Sequence, residues 1–116
     1  MVLSDEERRA TAFHEGGHAV TAYVLADADP VHKVSILPTG MSLGATQQLP
    51  AEERHTYWLE HLEASLAVLM GGRCAERLVL GSLSTGAGND LQRATGLARR
   101  MAVSYTHLTL PTKRIV

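Results

Sequence analysis

The chain has 116 residues, 45% apolar and 20% charged, the composition of one small globular domain or of part of a larger one. Eleven basic and twelve acidic residues give a net charge of −1, so there is no electrostatic case for nucleic acid or an anionic membrane as partner. The single cysteine, Cys74, excludes a disulfide framework or multi-cysteine zinc finger, no apolar run nears the ~18 residues of a membrane span, and the charged first residues argue against a signal peptide.

Ser4 followed by Glu7 reads as a capping box, and the spacing predicts a helix from about Asp5 to Leu25. Phe13, Gly17, Val20 and Val24 recur at helical spacing and are expected to be its buried stripe. Gly16 and Gly17 each cost about 1 kcal/mol in a helix interior relative to Ala, so a close neighbour is expected there. Asp27, Asp29 and Pro30 end the helix. Val31 to Leu37 alternates, with Val34 and Ile36 on one side and Lys33 and Ser35 on the other, as in a strand. Pro38 to Gly40 makes a turn, and Leu43 to Leu49 returns as a second strand. Such a hairpin must lie on the helices to be stable.

Ala51 to Leu80 is helical in pattern, in two pieces, with Leu59, Leu62, Leu66, Leu69 and Met70 as the apolar face. Gly71 and Gly72 within this run again imply close backbone contact, Cys74 is expected to pack as a small apolar residue, and Gly81 is a C-cap candidate. Ser82 to Asn89 is a loop of small residues. Asp90 then opens a helix whose Leu91, Ala94, Ala98 and Met101 share a face. The fold class expected is mainly α, with one small β-hairpin.

The last fourteen residues, Val103 to Val116, do not continue this helical pattern, with three threonines and Pro111 among them. Val103 to Thr112 reads as a translated transposon-end adaptor of the kind used in shotgun sequencing. The expectation is a partial domain over residues 1–102, truncated at its C-terminal side, followed by a foreign tail over 103–116. His107 is therefore left out of the site arguments.

The chemistry-bearing constellation is His14-Glu15-Gly16-Gly17-His18, an HExxH motif. On a helix, positions i and i+4 share a face, so both imidazoles can reach one Zn²⁺ at about 2.0–2.1 Å. Glu15 is offset by roughly 100° from His14 and is placed to take a proton from a water in the open position rather than to ligate. This spacing is the signature of zinc peptidases. The competing reading is a partly buried His pair on an amphipathic helix.

Zinc needs a third protein ligand. The extended HExxHxxGxxH pattern is excluded, because Thr21 and Val24 stand where its glycine and third histidine belong. The downstream donors are His32, His55, His61, Glu52, Glu53, Glu60, Glu63, Glu76 and Asp90, and spacing alone does not choose among them. Asp90 has a local argument, following a glycine-rich loop at a helix start. Glu76 is the runner-up, lying on the Gly-Gly helix expected near Gly17. His32 and Lys33 flank the first strand and read as solvated.

Five segments in order extend the motif: Ala12 to Val20, Asp29 to Ile36, Leu43 to Pro50, Gly71 to Glu76, and Ser84 to Leu91. Together they resemble the FtsH-type ATP-dependent zinc metalloproteases, peptidase family M41, over residues ~5–102. The resemblance implies that His14, His18 and Asp90 hold the zinc and that Glu15 is the catalytic base. That family usually carries Ala where this chain has Gly16 and Cys74, both small changes. It also implies a membrane-anchored homo-hexamer on the cytoplasmic side of the bacterial inner membrane, acting on unfolded or membrane proteins. ATP would be used only by a separate AAA module, since no G-x-x-x-x-G-K-[ST] loop occurs in this sequence. The alternative function is a non-catalytic helical assembly module or an inactive remnant.

Overall fold

The computed structural model describes residues 3–37, 44–49, 58–84 and 86–115, the last stretch by backbone alone over 86–88 and 105–115. Helix α1 spans Asp5–Val24 and is followed by strands β1 (Val31–Ser35) and β2 (Ala45–Gln48). Helices α2 (Leu59–Leu80) and α3 (Gly86–Ile115) complete the order. Mainly helical with one small hairpin, this is the fold class read from the sequence.

Helix α1 starts where Ser4 predicts. The Ser4 hydroxyl accepts from the Glu7 N–H at 3.1 Å and donates to Glu7 Oε1 at 3.0 Å. Asp5, Glu6 and Glu7 complement the positive end of the helix. The buried side of α1 is not the expected one. His14, Glu15, His18 and Ala22 are buried, whereas Val20 is 63% and Val24 69% exposed. Phe13 also sits at the surface, with the Arg9 guanidinium 5.4 Å from its ring centre. The apolar stripe lost to the polar one because α1 turns its glycine and histidine side to α2, where backbones approach closely.

A Cβ built on Gly17 would overlap the Gly71 carbonyl oxygen and stand 2.7 Å from the Ala75 Cβ. One on Gly71 would meet Thr21 Oγ1 at 2.5 Å and the Gly17 carbonyl oxygen at 2.7 Å. These two glycines therefore set the α1–α2 separation. Gly16 has open space around its Cβ position, against the expectation of close contact there.

Helix α2 runs unbroken over its described length, and the first piece expected from Ala51 lies mostly outside the described residues. Its buried positions are His61, Ala64, Val68, Gly71, Gly72 and Glu76. The expected leucine face is only half-buried, and Leu59 is exposed. Cys74 is exposed rather than packed, since Ala75 and Glu76 take the inward side at this turn. Gly81 ends the helix in the left-handed region, φ 72°, with its N–H on the Arg77 carbonyl at 3.1 Å.

The strands pair antiparallel, with Val34 opposite Thr46 and Ser35 opposite Ala45, and the register shifts between Val31 and Lys33. Val34 and Ile36 are both over a third exposed, so the expected apolar side is not buried. The hairpin docks on α1, as expected. The turn predicted at Pro38 to Gly40 falls outside the described residues.

Helix α3 begins at Gly86, earlier than expected, so Asp90 lies inside it rather than opening it. Asp90 and Ala94 are buried and Leu97 and Met101 half-buried, while Leu91 and Ala98 face outward. Ala94 and Met101 of the expected stripe thus face inward, while Asp90 and Leu97 take the places expected of Leu91 and Ala98. The backbone stays helical through Ile115, against the break expected after Ala102. Propagating a nucleated helix needs one hydrogen bond per residue, and residues 103–110 contain neither Gly nor Pro, which accounts for the helix as far as Leu110 but not past Pro111.

Candidate metal and catalytic site

His14, Glu15 and His18 of the motif are buried, and their partners come from three other elements. His14 Nε2 lies 2.7 Å and His18 Nε2 2.9 Å from Asp90 Oδ2. The two Nε2 atoms are 3.1 Å apart, and the rings meet edge to face with centroids 4.7 Å apart. Helix α1 supplies the histidines one turn apart, and α3 delivers the carboxylate across 72 residues of chain.

The opposite ring nitrogens are already committed. His14 Nδ1 donates to Glu76 Oε2 at 2.7 Å, and His18 Nδ1 donates to the Val68 carbonyl oxygen at 2.6 Å. A neutral imidazole that donates from Nδ1 presents a lone pair at Nε2. Two lone pairs and a carboxylate oxygen therefore point at one place, and protons or a cation must hold them together. Burial works against a charged imidazole at His14, but hydrogen bonds and charge from Asp90 and Glu76 outweigh it and raise its pKa to about 9. His18 shows the same balance, raised against burial by Asp90 and the Val68 carbonyl. Burial also opposes ionisation of Asp90, yet the two imidazoles hold its carboxyl well below the usual range.

This donor set fits a tetrahedral zinc ion. With bonds of about 2.0–2.1 Å, neighbouring donors in such a site stand about 3.3 Å apart, so the trio would open by roughly 0.2 to 0.6 Å. Among the described residues, His14, His18 and Asp90 form the one group of three or more His, Cys, Asp or Glu side chains able to converge on a metal. Gly72 makes room for it: a Cβ there would meet His18 Nε2 at 2.7 Å and His14 Cε1 at 2.8 Å.

The other sequence candidates are elsewhere. Glu76 is 1% exposed and stands behind His14, its second oxygen accepting from the Ser84 N–H at 3.0 Å. It fixes the His14 ring from the Nδ1 side, a contact that a search for ligands by spacing overlooks. His61 is buried with Nδ1 on the Asp27 carbonyl at 3.0 Å, and His32, Glu60 and Glu63 are exposed. His55, Glu52 and Glu53 lie outside the described residues. Glu15 is buried and turned to the hairpin, where the Thr46 hydroxyl is 2.7 Å from its Oε1 and 2.9 Å from its backbone oxygen. The sequence reading missed this contact, because nothing in the spacing connects β2 to residue 15.

A buried HExxH helix closed by a distant carboxylate is the arrangement of a metallopeptidase, and the peptidase family M41 model matches residues 1–107. The chain belongs to that family. It is 68% identical over 100 residues to the ATP-dependent zinc metalloprotease FtsH of Acidimicrobium ferrooxidans, covering 86% of this chain and 15% of the relative. It is 62% identical over 104 residues to the ATP-dependent zinc metalloprotease FtsH of Magnetococcus marinus, covering 90% and 16%. Against the protein of the same name from Acidobacterium capsulatum the identity is 55% over 105 residues, again 90% and 16%. The chain thus spans only about 15–16% of the length of these curated relatives.

Proposed function

We propose that the chain is the zinc-binding core of an endopeptidase, in which His14, His18 and Asp90 hold Zn²⁺ and Glu15 is the general base. The observation that carries this reading is the convergence of three acceptor atoms within 3.1 Å of one another, with both Nδ1 atoms already donating elsewhere. Bound there, Zn²⁺ supplies a Lewis acid that polarises a peptide carbonyl and lowers the pKa of water toward ~7. Glu15 accepts the proton of the attacking water and returns it to the leaving amine. Glu76 and the Val68 carbonyl keep the two rings in the tautomer that ligates. The hairpin supplies main-chain donors and acceptors to which an extended substrate adds as a strand, a sequence-tolerant mode of binding.

The relatives are named ATP-dependent zinc metalloproteases, which supports reading this core as part of a longer, ATP-driven protease. On that kinship the full protein is a membrane-anchored homo-hexamer at the cytoplasmic side of the bacterial inner membrane. It hydrolyses unfolded or membrane proteins, with ATP consumed by a separate module. Among the described residues, no helix is long and apolar enough to cross a membrane.

Paired variants test the assignment. Asp90→Ala should weaken zinc binding by more than about 100-fold along with activity, since it removes a ligand rather than a partner of one. Glu15→Gln should bind zinc normally and lose casein hydrolysis by at least ~100-fold. Equal zinc loss in both, or hydrolysis unaffected by Glu15→Gln, would overturn the roles.

A further inference from the structure

A general base must be aimed as well as present, and Glu15 is held by an element other than its own helix. The Thr46 hydroxyl has one proton and two acceptors within reach, Glu15 Oε1 at 2.7 Å and the Glu15 backbone oxygen at 2.9 Å. Both acceptors belong to the same residue, so whichever one the proton serves, β2 is tied to Glu15. Among the described residues, Glu15 Oε2 accepts no hydrogen bond and is left for the reaction.

A second, independent feature brings the hairpin this close. Gly44 precedes β2, and a Cβ on it would meet Thr11 Cγ2 at 2.6 Å, the Ser35 carbonyl oxygen at 2.8 Å and Glu15 Cγ at 3.2 Å. The missing side chain lets the strand settle against α1 and over the stem of Glu15. Any bulk at residue 44 would lift β2 and stretch the contact from Thr46.

We infer that Thr46 is a positioning residue for Glu15: its hydroxyl, seated by Gly44, fixes the carboxylate and couples the general base to the strand pair that receives substrate. The inference rests on the base assignment made above and adds what holds that base in place. Because Thr46 is itself a residue of β2, a substrate that settles onto the hairpin also settles the aim of Glu15. The expected penalty for losing this contact falls on turnover rather than on metal binding, since Thr46 touches neither imidazole nor Asp90.

The test uses zinc-loaded protein with Thr46→Val, which keeps shape and removes the donor, Thr46→Ser, which keeps the donor, and Gly44→Ala. Two readouts are needed: kcat and KM for a peptide, and the order of the Glu15 side chain from carbon-13 relaxation. Thr46→Val should leave zinc content and KM within about twofold, lower kcat by about 10- to 100-fold and loosen the Glu15 side chain. Thr46→Ser should restore both readouts, and Gly44→Ala should reproduce the Thr46→Val result. Wild-type Glu15 order in Thr46→Val, or a Thr46→Ser protein as impaired as Thr46→Val, would overturn the inference. Lost zinc in Thr46→Val would do the same, marking the contact as structural. Full hydrolysis by Glu15→Gln would instead refute the base assignment, and so separates that failure from this one.

Discussion

Glu76 is the most deeply buried large side chain described in this protein, and it is a carboxylate. An unpaired carboxylate in that position would cost several kcal/mol. Its two oxygens are instead matched by His14 Nδ1–H and the Ser84 N–H. Removing the matched acceptor in Glu76→Ala frees the His14 ring to turn, and zinc affinity measured against a chelating dye should fall by about 10- to 100-fold. Glu76→Gln keeps an acceptor and should fall between that variant and the wild type. Protonation gives a second check. The His14 pKa of about 9 in the metal-free protein means the ring holds a proton at neutral pH that zinc must displace. Apparent zinc affinity should therefore rise with pH up to about 9 and level off above it, and titration at pH 7 should release protons. A pH-independent affinity would contradict the coupling. Much of this residue-level picture was legible in the sequence, because a helix obliges positions 14 and 18 to share a face. Asp90 was named as well, by its place after the glycine-rich loop and by the family resemblance, whereas Glu76 was read only as the runner-up ligand, since spacing alone cannot order carboxylates 76 and 62 residues from His14.

At the scale of elements, glycines do what apolar periodicity was expected to do. Phe13, Val20 and Val24 have the right spacing for a buried stripe, yet α1 buries the opposite side. Periodicity ranks faces by hydropathy alone, whereas α1 and α2 are joined where side chains are smallest. Gly17→Ala places a methyl group against the Gly71 carbonyl and Ala75 Cβ, and should destabilise the fold by about 1–3 kcal/mol in thermal melts. Gly16→Ala meets nothing within 4 Å and should stabilise by up to about 1 kcal/mol through helix propensity. Opposite signs at adjacent glycines make a sharp test, and equal effects would contradict the packing described. The helix starts and ends themselves were readable, because Ser4 and Gly81 act through local backbone chemistry. The start of α3 was not, since a run of small residues reads as a loop unless the chain around it is known.

The molecule as a whole has an interior unusual in kind. Among the described residues the buried apolar side chains are Leu3, Ala22, Ala64, Val68 and Ala94, while His14, Glu15, His18, His61, Glu76 and Asp90 are the buried polar ones. Holding so many ionisable groups out of water is costly unless something binds them, so metal should stabilise this fold by ligand linkage. Residues 102–104 are exposed, and Asp90 lies near the other end of α3. Deleting residues 103–116 should therefore leave zinc stoichiometry unchanged. The account as a whole is tested most directly by zinc-edge X-ray absorption on the purified chain. It predicts one zinc with two imidazole nitrogens and a carboxylate oxygen at about 2.0–2.2 Å, the oxygen contribution changing in Asp90→Ala. A protein without stoichiometric zinc, or a spectrum identical in Asp90→Ala, would contradict it.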